Sequence, residues 1–195
     1  MIDLAALVLT CAPLVAQDTA RALIQVESGG NPFAIGVVGG ALVRQPSNLP
    51  EAIATVAALE AAGWNYSVGL GQINKRNFER YGLSPATAFD PCANLTAMQG
   101  ILGECFSRAN RRAPKQAALR NAFSCYYSGN FLTGHQHGYV SKVLAAWSSK
   151  PLTLIACLRK LLCLAQGKAE IEEHASSVWL LAREWLKIGL AVLNA

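Results

Sequence analysis

The stretch Gln25-Val26-Glu27-Ser28-Gly29-Gly30-Asn31-Pro32 constrains this chain more than any other. Upstream of it, Asp18 or Thr19 can cap a helix whose apolar face carries Ala20, Leu23 and Ile24. Glu27 lies one helical turn beyond Leu23 and Ile24, so it continues that face. A carboxyl group placed there resists ionisation, because desolvation disfavours the charged form. Gly29-Gly30 then stops the helix, and Asn31-Pro32 turns the chain away. The spacing predicts a general acid at the open end of a buried helix.

Enough apolar material follows to bury such a helix. The chain has 195 residues, 52% of them apolar and 15% charged, which excludes a disordered polymer and suits one sizeable domain with an appendage. The net charge of +5 is spread along the sequence, with no run of like charges. No RNP-like, zinc-finger or helix-turn-helix signature accompanies it, so direct nucleic-acid binding is not expected. No uncharged apolar run reaches the length of a transmembrane helix.

Cysteines stand at 11, 92, 105, 125, 157 and 163, and none form a C-x-x-C pair. That argues against structural zinc and thioredoxin-like chemistry, and favours at least one disulfide among Cys11, Cys92, Cys105 and Cys125. Residues 4–17 are uncharged and mostly apolar, with two readings. They have the length of a signal h-region, yet the preceding Met-Ile-Asp lacks Lys or Arg, and Leu14 stands where cleavage after Ala16 wants a small residue. The other reading is a first helix of the fold, ending at Cys11-Ala12-Pro13.

Further along, Phe33–Val38 and Ala41–Arg44 flank Gly39-Gly40 and read as a β-hairpin. Asn48 to Glu51 has capping-box spacing and opens a helix to Gly63. Trp64 to Asn74 reads as a strand returning to the hairpin, then a turn into a short helix. Gly69 and Gly71 there allow the backbone to approach a ligand or the Glu27 helix closely. Helices are expected from Pro91-Cys92, from Ala113-Pro114 to about Tyr127, and from Tyr139 to Trp147. Composition changes at Ser148-Ser149-Lys150-Pro151, giving a domain over 1–147 and a helical extension over 148–195, with helices at 152–165 and 171–193.

Three of these segments occur together in a known family. Glu27-Ser28-Gly29-Gly30-Asn31-Pro32 resembles the Glu-Ser motif of soluble lytic transglycosylases of the goose-lysozyme-like superfamily. Gly69-Leu70-Gly71-Gln72-Ile73 resembles their Gly-Leu-Met-Gln-Ile motif, and Cys125-Tyr126-Tyr127-Ser128-Gly129 their Ala-Tyr-Asn-Ala-Gly motif. Order and spacing agree over roughly residues 12 to 147. Ile35–Gly40 and Phe89–Leu95 look like the branch serving type IV secretion and conjugative DNA transfer. The chain departs from the pattern at Gly71, where the family has Met, and at Tyr127, where it has Asn; Asn130 can substitute for the latter.

The resemblance implies a mainly α (α+β) lysozyme-like domain with a small β-hairpin beside the cleft, followed by C-terminal helices. It implies a periplasmic enzyme that cleaves peptidoglycan between N-acetylmuramic acid and N-acetylglucosamine, leaves 1,6-anhydro ends, and opens the wall for a secretion apparatus. Glu27 would be acid and then base. No second acid stands in a comparable motif, whereas hydrolysing glycosidases use a carboxylate pair. Glu51 and Glu60 read as surface residues. Tyr126 would hold or tune Glu27, and Ser28, Gln72 and Asn130 would contact sugar, with turn support as the competing role for Ser28 and Gln72. Trp64, Tyr66 and Phe131 are either stacking surfaces or core. His135 and His137 lack a third ligand, so no metal or cofactor is expected. A muramidase of the same bond and a non-catalytic peptidoglycan-binding assembly factor are the alternatives.

Overall fold

A computed structural model describes residues 3–148, and its core forms where helices converge on the end of the Glu27 helix. Helix α1, Leu4–Cys11, starts at Asp3, whose carboxylate accepts the backbone N–H groups of Ala5 and Ala6. Val8 and Cys11 on this helix are buried. Cys11 is disulfide-bonded to Cys92, and Thr96 donates its hydroxyl to the Cys11 carbonyl at 3.0 Å.

Helix α2, Gln17–Glu27, buries Ala20, Ala22, Leu23 and Ile24 completely. Its start differs from expectation. Ala16 is the N-cap and no side chain caps it, while Asp18 sits in the first turn, where a carboxylate favours the helix dipole. Its end is as the residue order dictates: Gly29 and Gly30 both adopt positive φ, at 61° and 84°, a conformation costly for any residue with a Cβ.

Strand β1, Ile35–Val37, does not pair with 41–44. The segment after Gly39-Gly40 forms no strand, and Gln45 instead folds back to bond both the N–H and the C=O of Ile35, at 2.8 and 3.0 Å. A side chain thereby occupies the edge that a second strand would have used. The antiparallel sheet is β1, β2 (Tyr66–Val68) and β3 (Ile73–Asn74) in that order, so the true hairpin joins β2 to β3 through residues 69–72. Between β1 and β2 lies α3, Leu49–Ala61, capped as predicted: Asn48 Oδ1 accepts Glu51 N–H at 3.0 Å. Glu51 reaches back to Ser47 and pairs with Arg44, which lowers its pKa to about 2. Glu60 is exposed, as expected, and accepts the hydroxyl of fully buried Tyr66 at 2.7 Å.

Short 3₁₀ turns at 75–77, 79–81 and 87–89 lead into α4, Pro91–Asn110, with Asp90 as N-cap and Pro91 at its first turn. Helix α5, Lys115–Ser128, lies against α4 and is tied to it by the Cys105–Cys125 disulfide. A one-turn helix α6, Thr133–Gln136, and helix α7, Tyr139–Ser148, complete the described residues, with α7 returning against α2. The domain is mainly α with a small antiparallel sheet, the class expected. No helix among the described residues is long and apolar enough to cross a membrane. The expected boundary at 147/148 falls at the end of these residues; the segments expected as helices at 152–165 and 171–193, and Cys157 and Cys163, lie outside them.

Candidate active site

Glu27 closes α2 at the wall of an open cleft of about 790 Å³. Burial of its carboxyl raises the pKa from 4.5 to about 7, against the opposing pull of one hydrogen bond. That bond comes from the Tyr139 hydroxyl, which donates to Glu27 Oε1. Tyr139, at the start of α7, is itself buried, and its own pKa is driven up by desolvation and by the carboxyl beside it. A carboxyl poised near neutrality can give a proton and then take one back.

The opposite wall is carried by the sheet. The β2–β3 turn is pinned by Asn94 of α4, a fully buried side chain with three bonds. It accepts Gly71 N–H at 2.7 Å and donates to the carbonyls of Val68 and Ala88 at 2.9 and 2.8 Å. Gly69 must be glycine here, because its φ is +79° and a Cβ would lie 2.3 Å from the Asn94 amide. A Cβ on Gly71 would meet Met98 at 3.0 Å and the Tyr126 hydroxyl at 3.1 Å, so α4 and α5 fill the space beside it. Gln72 follows at φ 49°, the one non-glycine residue with positive φ among the described residues. Its amide donates to the carbonyls of Ala34 and Gly69, at 3.0 and 3.1 Å, and it lines the cleft. Backbone held in this region is typical of sites where the chain is over-determined by its surroundings.

The end of α5 supplies the remaining face. Tyr126 donates to the Gly71 carbonyl at 2.6 Å, joining α5 to the β2–β3 turn. It is close enough to Glu27 for that charge to raise its pKa, along with the larger effect of burial. Tyr127 is half exposed, stacks on Tyr139 with ring centres 4.6 Å apart, and hydrogen-bonds His137 Nδ1 at 3.3 Å.

Residues 7–143 match the family described as "Transglycosylase SLT domain". The chain belongs to that family. It is 49% identical to "Type IV secretion system protein virB1" of Brucella abortus and of Brucella suis, over 82% of this chain and 71% of theirs. It is 39% identical to "Protein virB1" of Agrobacterium fabrum, over 70% of this chain and 56% of that protein. No solved structure matches it.

Within this SLT domain the expected site residues do not all meet. Glu27, Gln72 and Tyr126 line one cleft. Tyr126, expected to hold or tune Glu27, gives its hydroxyl to the Gly71 carbonyl, and it is Tyr139 that hydrogen-bonds the carboxyl. Ser28 does not line the cleft; its hydroxyl lies 2.9 Å from the Leu70 carbonyl and 3.2 Å from that of Ile24, locking the end of α2 to the turn. Asn130 is occupied too, since Oδ1 accepts the N–H groups of Leu132 and Thr133 and the amide donates to Thr133 Oγ1, all at 2.9 Å. Tyr66 is core, and Arg108 lies over the Phe131 ring at 5.3 Å, which leaves Trp64 as the exposed member of the aromatic set. His135 and His137 bond Asn121 and Tyr127 respectively. Sequence reasoning missed Tyr139 and Asn94. Asn94 carried a signal, a polar residue on the apolar face of its helix; Tyr139 carried none, because a tyrosine opening a helix is ordinary.

Proposed function

We propose that this chain is a peptidoglycan lytic transglycosylase in which Glu27 is both acid and base. The observation that carries the reading is a cleft whose lining holds one carboxyl, kept near neutrality by burial. Protonated Glu27 donates to the glycosidic oxygen between N-acetylmuramic acid and N-acetylglucosamine as the C1–O bond breaks. The carboxylate so formed removes the proton of the muramyl 6-hydroxyl, whose oxygen closes on C1. The proton returns to Glu27, no water is consumed, and a 1,6-anhydro end remains. Hydrolases of this bond use a second carboxylate at a defined separation, and among the described residues no other Asp or Glu lines the cleft. Gln72 lines the same cleft and is taken as a sugar contact, while Ser28, Tyr126 and Asn130 support the walls.

The Brucella relatives bear a type IV secretion name, and we infer that this enzyme serves such an apparatus by opening the wall locally. Two disulfides suit the periplasm, an oxidising compartment. Mass analysis of digested peptidoglycan tests the chemistry: anhydro-muropeptides, lighter by one water than hydrolysed ones, are expected. Reducing ends alone would overturn it. Glu27→Gln keeps the shape and removes the acid; turnover should fall by about 10²- to 10⁴-fold, and a fully active variant would end the assignment.

A further inference from the structure

One cation lines the cleft, and among the described residues no acidic side chain pairs with it. Several other basic side chains have partners. Lys75 Nζ donates to the Trp64 carbonyl at 2.5 Å and sits over the Tyr66 ring, Arg80 pairs with Glu104 at 2.7 Å, Arg44 pairs with Glu51, and Arg108 covers Phe131. Arg76 is exposed on the cleft wall, and among the described residues its guanidinium has no ion-pair partner. Only its backbone is engaged, donating to Asn74 Oδ1 at 3.1 Å as β3 runs into the first 3₁₀ turn. That bond fixes where the side chain leaves the wall. It does not serve the acid: the forces on Glu27 are burial and the Tyr139 hydroxyl.

The wall around Arg76 is polar and incompletely satisfied. Ser67 and Asn74 face each other across β2 and β3, joined by a 3.2 Å bond, and both line the cleft. Asn65, also lining it, buries a side-chain Oδ1 with no hydrogen-bond donor. An unpaired buried acceptor is unfavourable, and it marks a wall whose polar groups are not all matched within the fold. A glycan backbone of amino sugars offers N–H groups but no anion to a guanidinium. The muramyl residue does carry an anion, as its free lactyl carboxylate or, once a peptide stem is attached, as a stem carboxylate.

We propose that Arg76, on the sheet wall beside Asn65 and Asn74, binds a carboxylate carried by the muramyl residue and so selects muramyl strands over uncharged chitin-like ones. The inference rests on the transglycosylase reading and adds a specificity-determining residue to it. A guanidinium suits the task because it presents a planar fork of donors to a carboxylate.

The test compares wild type with Arg76→Gln and Arg76→Lys on two soluble substrates, stem-bearing strands and strands stripped by an amidase to the free lactyl group. Arg76→Gln should raise KM about three- to tenfold with kcat within about twofold, as expected for a partly exposed charge contact, and Arg76→Lys should recover part of the loss. A rise confined to stem-bearing strands assigns the stem carboxylate; one confined to stripped strands assigns the lactyl group; a rise on both means either is accepted. Chito-oligosaccharide binding, measured in a Glu27→Gln background, should be unaffected by Arg76→Gln. Unchanged KM on both substrates, or an equal loss of chito-oligosaccharide binding, overturns the proposal. If wild type releases no anhydro product, the functional reading fails by itself. Dissociation constants for the same strands, with and without Arg76, then still decide whether the wall reads charge.

Discussion

Glu27 gains its properties from two opposing neighbours, and their separation gives predictions at the residue scale. Burial holds the proton on and the Tyr139 hydroxyl favours its loss, with a balance near pH 7. Activity that needs the protonated acid should therefore decline as pH rises through about 7, which a pH profile of kcat/KM would show. Stability should follow the same group with a definite sign. Between 4.5 and about 7 the folded chain keeps a proton that the unfolded chain has lost, so folding weakens as pH rises through that window. Glu27→Gln, which cannot ionise, should be more stable than wild type above pH 7, by about 1–3 kcal/mol in urea unfolding, and no less stable below pH 4.5. Tyr139→Phe removes the bond that favours the carboxylate. The alkaline limb of activity should move to higher pH, and kcat should drop about tenfold through lost positioning. An unmoved limb would show that Tyr139 does not govern the acid.

At the scale of elements, the cleft exists because short strands are held by side chains rather than by a long ladder. β2 and β3 pair at only Ser67–Asn74 and Val68–Ile73, too little for a hairpin to persist unaided. Asn94 supplies what the ladder lacks, with two buried bonds from α4 to Gly71 and Val68 at the turn and a third to Ala88 just ahead of α4. Asn94→Ala should lower stability by about 3 kcal/mol, measured by thermal unfolding, because Gly71 N–H and two carbonyls are left buried without partners. A substitution at an exposed residue such as Gln25 should be nearly neutral. The misplaced hairpin belongs to this scale as well. Ala41–Arg44 has β-prone residues, but Gln45 supplies both backbone bonds at Ile35, and a propensity cannot register a competing side chain.

At the scale of the molecule, α1 is held to α4 across a long loop by Cys11–Cys92, and α4 to α5 across a short one by Cys105–Cys125, at separations of 81 and 20 residues. Loop-closure entropy makes the first worth about 4 kcal/mol and the second about 3. Reduction should therefore lower Tm, and Cys11→Ser with Cys92→Ser should cost more than the corresponding change at Cys105 and Cys125. Calorimetry on the two double variants would settle the order. A larger loss from the shorter loop would mean that contacts around it, rather than chain entropy, set its worth.

The order of residues alone determined the helix that Glu27 ends, the glycines that stop it, the class of fold and the three motifs of the family. The helix and its stop depend on local conformational energy and on a periodic apolar face, both written along the chain, whereas the motifs and the fold class were legible through their resemblance to a known family. Tertiary structure decided which tyrosine reaches the carboxyl, where the true hairpin lies, and that Ser28 and Asn130 support loops. Those outcomes turn on groups distant in sequence competing for the same hydrogen bonds. Tyr139 lies 112 residues from Glu27 and Asn94 lies 23 from Gly71, so no window of the sequence contains both partners.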